Sequence, residues 1–175
     1  MKLVFILIPL LFATNLPPSD FYKIQVESVD GKTINLSDYK GKKILIAEFN
    51  AANPDESFLG MLDTLQNSDT GIVVIAVPAT DFDGNTSNSK IKSLKADLNL
   101  NYLVTETGKV ARNSGGSQLS LFKWLTSLSD NTHFDVDITS EGQMFLVSEK
   151  GELLAAVGKG TPPDIISQLL TKSSN

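Results

Sequence analysis

Apolar and polar positions change period several times along this chain, and the changes mark out its elements. Ile44 to Phe49 is a short, mostly apolar run of the kind a buried strand requires. Phe58, Leu62 and Leu65 then recur at helical spacing. Between them, Asn53-Pro54-Asp55-Glu56 reads as a helix start: Asn53 as N-cap, Pro54 in the first helical position and Glu56 three residues after the cap. Gly71 to Val77 is apolar throughout and reads as a second buried strand, parallel to the first. Two such strands joined by a helix form a right-handed βαβ unit, which sets the centre of a sheet.

The flanking segments carry weaker patterns. Phe21 to Val29 and Lys32 to Leu36 alternate on either side of Asp30-Gly31, a strong hairpin turn signal. Pro78 to Ser89 is a polar loop, after which Asn88 is placed to cap a helix over Lys90 to Leu98. Asn99 to Lys109 is readable as strand or loop. Ser117 to Leu128 reads as a helix with Leu121, Trp124, Leu125 and Leu128 in one apolar stripe. Phe145 to Ser148 and Leu153 to Val157 flank Glu149-Lys-Gly-Glu152 as a second hairpin. Thr161-Pro-Pro-Asp164 opens a final helix whose apolar face is Ile165, Ile166, Leu169 and Leu170.

Composition fits one globular domain: 175 residues, 41% hydrophobic and 20% charged. Lys2 followed by Leu-Val-Phe-Ile-Leu-Ile-Pro-Leu-Leu-Phe-Ala13 has the form of a secretory signal, too short for a comfortable membrane span. The expected division is therefore a signal peptide and spacer at 1–19 and an exported domain at 20–175, periplasmic or secreted, with no stable membrane insertion after cleavage. Removing Lys2 takes the net charge from -5 to -6, a balance that argues against nucleic acid as a partner. There is no cysteine, so disulfides, thiolate metal sites and thiol chemistry are all excluded.

The segment Asp30-Gly-Lys-Thr-Ile-Asn-Leu-Ser-Asp-Tyr-Lys-Gly-Lys-Lys-Ile-Leu-Ile46 resembles the opening of glutathione peroxidases. Leu121-Phe-Lys-Trp-Leu-Thr-Ser127 is similar to that family's Pro-Leu-Tyr-Lys-Trp-Leu-Thr helix, and Phe145-Leu-Val with Gly151 to its penultimate hairpin. The likeness runs from about Phe21 to Leu170. It implies an α/β chain with a thioredoxin-like fold: a central mixed sheet flanked by helices, with an N-terminal β-hairpin. It also implies where a peroxidase site would lie. Ungapped, Asn53 falls at the peroxidatic cysteine, Asp81 at the catalytic glutamine, Ser140 at the tryptophan and Glu141 at the asparagine. None of the four family residues is kept, and no second cysteine could resolve an oxidised intermediate.

The chemistry agrees with that pattern, because peroxide reduction by this route needs a thiolate that is itself oxidised, and an asparagine amide is neither nucleophilic nor reducible. The expectation is a non-catalytic binding or structural module. It carries no cofactor or metal and receives a protein or small-molecule ligand on the former active-site face. Two alternatives stay open: an enzyme with a new acid-lined, metal-assisted site, or a peroxidase of oxidative-stress defence as the family would suggest. Asp81, Asp83, Asp135, Asp137 and Glu141 supply the oxygen ligands a hard cation takes, although solvated loop acids explain them more simply. The lone His133 near Ser114, Ser129 or Ser140 lacks any sign of an activated serine.

Overall fold

The computed structural model describes residues 20–68, 71–82, 86–113 and 115–172, so the expected signal segment at 1–19 lies outside the described residues. Seven strands and five α-helices follow in the order β1 (Gln25–Glu27), β2 (Thr33–Asn35), β3 (Ile44–Asn50), α1 (Glu56–Gln66), β4 (Val73–Ala79), α2 (Asn88–Asp97) and β5 (Leu103–Val104). Then come α3 (Ser120–Thr126), α4 (Leu128–Asn131), β6 (Met144–Val147), β7 (Leu153–Val157) and α5 (Pro163–Lys172). β5-β4-β3-β6-β7 form a mixed sheet, and β1 and β2 form a separate two-stranded hairpin.

The βαβ unit is as the apolar runs foretold: β3 and β4 are parallel, with Ile44 opposite Val73 and Asn50 opposite Ala79. Both are buried along their whole length because the sheet is covered on both faces. Leu45, Ala47 and Phe49 point toward α1, joining Phe58, Leu59 and Leu62 in one core layer with Ile166 of α5. Ile44 and Ile46 point the other way, into a second layer with Phe21, Phe122, Trp124 and Phe145. In that layer the Phe21 and Trp124 rings lie 4.9 Å apart, and Phe122 meets Phe145 edge-on at 6.0 Å.

Several expected boundaries move. Phe21 is not in a strand: Asp20–Lys23 is a 3-10 turn that buries Phe21 and Tyr22. The first hairpin turns through Ser28 to Gly31 with only Gly31 at positive φ (75°), because the Ser28 N–H reaches past the turn to the Lys32 carbonyl. Ser87, not Asn88, caps α2 by accepting the Lys90 N–H at 3.3 Å. The ambiguous stretch after α2 contains the two-residue β5. The Leu121 stripe ends early, since α3 stops at Thr126 and Leu128 opens α4 with half its surface exposed (51%). On α5, Ile166 is buried while Ile165 is 40% exposed.

Candidate functional site

β3 delivers the chain to the start of α1, and the last residue of the strand shapes the junction. Asn50 is buried, and its Oδ1 accepts the N–H groups of Ala52 (3.0 Å) and Asn53 (3.1 Å). That local turn holds Asn53 outside the helix on the exposed surface. The N-cap is therefore Asp55, two residues later than the sequence pattern suggests: its Oδ1 accepts from Ser57 (3.0 Å) and Phe58 (3.2 Å). A carboxylate in this position also suits the positive end of the helix dipole.

Lys159, in the segment after β7, covers the junction. Its Nζ lies 3.0 Å from Asp55 Oδ2 and 3.0 Å from Glu141 Oε1, so one ammonium ties the helix start to the chain leading into β6. The two bonds raise the Lys159 pKa, Glu141 contributing first and Asp55 second. Lys159 in turn is the main cause that lowers Glu141, with help from the Asn50 side chain, and it lowers Asp55 together with the Phe58 N–H. Gly142 sits directly beneath this lysine with φ 81°; a Cβ there would stand 2.4 Å from the Lys159 Cβ. The recess left between Phe49, Asn50, Phe58, Gly142 and Lys159 measures about 10 Å³, space for no more than one water.

Below the same loop lies a group that the apolar reading of β3 passed over. Glu48 is fully buried, and its Oε1 accepts the Gln143 N–H at 2.7 Å while Oε2 has no partner among the described residues. Burial pushes this carboxyl up to about 7. The N–H groups of Gln143 and Gly142 offset part of the rise, and the negative charges of Glu141 and Asp81 add to it. A charged residue inside Ile44–Phe49 was the one signal in the sequence. Nothing local to Lys159 pointed to its role.

Of the remaining expected positions, Asp81 adds its charge to that of Glu141 around Glu48. Asp81 faces the loop after β5, accepting the N–H of Val110 at 2.8 Å and of Ala111 at 3.3 Å. Ser140 is exposed. Asp135 pairs with Arg112, and Asp137 accepts the Arg112 N–H at 3.0 Å. Asp83 and Ser114 lie outside the described residues. Among the described residues no three His, Asp or Glu side chains are grouped to hold a metal. His133 contacts Asn131 and Thr132, not a serine. No helix of the described residues is long and apolar enough to cross a membrane.

No family model matches the chain. It is 29% identical over 151 residues to glutathione peroxidase 1 of Caenorhabditis elegans, an alignment that spans 83% of this chain and 90% of that protein. Among solved structures, Trgpx in its apo form superposes with a TM-score of 0.66 at 16% identity, over 87% of this chain and 93% of that one. T. cruzi GPX1 gives 0.66 at 19%, over 86% and 94%. A more distant likeness is the exposed lipoprotein thioredoxin of Streptococcus pneumoniae, at 0.56 and 20%, over 85% and 98%. The structural matches carry the fold and the worm enzyme carries the kinship: the chain is a cysteine-free homologue of the glutathione peroxidases with a thioredoxin-like α/β fold.

Proposed function

We propose that this protein is an exported, non-catalytic member of the peroxidase lineage that works as a binding or structural module. The observation that carries the reading is the ammonium of Lys159 seated between Asp55 and Glu141, over a recess of about 10 Å³ at the start of α1 that leaves no room for a substrate. The resemblance sets Asn53 at the peroxidatic position, and an asparagine there has no redox chemistry. With the recess filled, what remains for a ligand is exposed surface, and Asn53, Glu56 and Ser140 are each exposed. A recess this small suits a segment of a partner protein lying across it better than a small ligand held inside it. Affinity capture from the native envelope or secreted fraction tests this: one partner recovered reproducibly and lost on Asn53→Arg is expected, and capture indifferent to that change contradicts it.

A second reading keeps an enzyme with an acid-lined site, favoured by Glu48. A carboxyl that titrates near neutrality is suited to general acid-base work. For Glu48 to reach a substrate, the loop of Glu141 to Gln143 must first lift away. That reading predicts a chemical activity abolished by Glu48→Gln, and the binding-module reading predicts none.

A further inference from the structure

The loop that leads into β6 covers Glu48, and it is held lightly. The Glu48 N–H donates to the Gln143 carbonyl at 3.1 Å, one step beyond the paired residues Ala47 and Met144. A regular antiparallel pair would return the second bond to the strand carbonyl. Here the Gln143 N–H goes instead to the Glu48 side chain, at 2.7 Å from Oε1, so the loop is fastened to the carboxyl itself. Among the described residues, Glu141 and Gly142 make no backbone–backbone hydrogen bond. Glu141 is held through its carboxylate, by Lys159 and the Asn50 side chain. With Lys159 38% exposed, that ion pair shifts an equilibrium by no more than about fivefold.

The carboxyl under this loop is sensitive to its charge. Glu48 is fully buried, and Oε2 has no partner among the described residues. Its neighbours across the sheet, Val77 and Gln143, are uncharged. The charges that act on it are both negative, Glu141 from the loop and Asp81 from the segment after β4, while Lys159 is engaged by Asp55 and Glu141. Protonated, Glu48 leaves one polar atom unpaired; ionised, it leaves a buried charge with no counter-ion, which costs far more. The Gln143 N–H offsets only part of that cost. Water reaches the charge most cheaply by displacing three lightly held residues, because the alternative is to open the sheet.

We propose that residues 141–143 form a pH-operated lid, closed over Glu48 while its carboxyl is protonated and lifted when it ionises. The device is the same whether the protein binds a partner or turns over a substrate. Burial places the titration at about 7, and the displacement from 4.5 makes lifting about 70-fold more frequent at pH 8.5 than at pH 5. Amide hydrogen exchange on the folded protein tests this, read as protection factors so that the intrinsic pH dependence of exchange cancels. Protection of the Glu48 and Gln143 amides is expected to fall by that factor, to stay unchanged in low urea, and to lie below that of the buried β4 residue Ile75 at every pH. Global unfolding also becomes easier as Glu48 ionises, but it responds to urea and a local lift does not. Glu48→Gln should abolish the pH dependence. Lys159→Met should lower protection about two- to fivefold at every pH and leave the pH dependence intact. Ile75 reports that each variant is folded. Protection at Glu48 and Gln143 that is flat with pH in the wild type, that follows Ile75 in both pH and urea, or that still falls with pH in Glu48→Gln would overturn the proposal.

Discussion

Glu48 makes the stability of this protein depend on pH in the direction opposite to that of most carboxylates. Its pKa rises from an ordinary 4.5 to about 7, so the folded chain holds this proton more tightly than the unfolded one. Stability from this group is complete below pH 4.5, falls as the pH climbs, and levels off above the folded value. At ~1.4 kcal/mol per pH unit of displacement, the loss amounts to about 3 kcal/mol. Asp55, Glu141 and Asp30 are lowered by their lysine partners and act only at more acid pH, where their contribution disappears as they protonate. The window between pH 4.5 and 7 therefore belongs to Glu48. Urea unfolding at intervals from pH 5 to 8.5 should show the wild type losing about 2.5 kcal/mol, the rest having gone below pH 5. Glu48→Gln should be nearly flat over the same range. Its amide oxygen can still accept the Gln143 N–H, but its NH2 takes the place of the unpartnered Oε2, so at pH 5 the variant should be less stable than wild type by about 1–3 kcal/mol. Parallel slopes in the two proteins would refute the reasoning.

Other expectations follow from the junction. Asn50→Ala strips two N–H groups of their acceptor and should destabilise by about 2 kcal/mol in the same unfolding assay. Lys159→Met should change the melting temperature little, because all three charged groups are more than a third exposed. Hydrogen exchange at Ser57, Phe58 and Gln143 should nevertheless quicken in that variant. Asn53→Cys places a thiol beside Asp55 and Glu56, so its pKa, followed by alkylation rate against pH, should lie at or above the ordinary 8.5 or so of a free cysteine.

Long-period features of the fold were legible in the sequence, while features made by contacts distant along the chain were not. The two apolar strands and the helix between them could be read because burial on both faces leaves an unbroken apolar run. The early end of α3 and the exposure of Leu128 could not, since the second helix begins only one residue later and turns that stripe outward. The cap of α1 was misplaced by two residues because the pattern at Asn53, Pro54 and Glu56 satisfies the local rule. The Asn50 side chain captures the same backbone first. At the candidate site, the absence of cysteine was visible from composition alone. That Lys159, 104 residues beyond Asp55, closes over the start of α1 depends on packing between α1 and the segment after β7. Asp81 accepts the N–H groups of Val110 and Ala111, partners that no local pattern names.

The central claim is that a glutathione-peroxidase scaffold here carries no peroxidase chemistry. The most direct test is peroxide consumption by the purified protein, with hydrogen peroxide and an organic hydroperoxide as substrates and with glutathione or reduced thioredoxin as reductant. The account predicts a rate indistinguishable from a heat-killed control with either reductant; turnover above that control, abolished by replacing residues around Asn53, would contradict it.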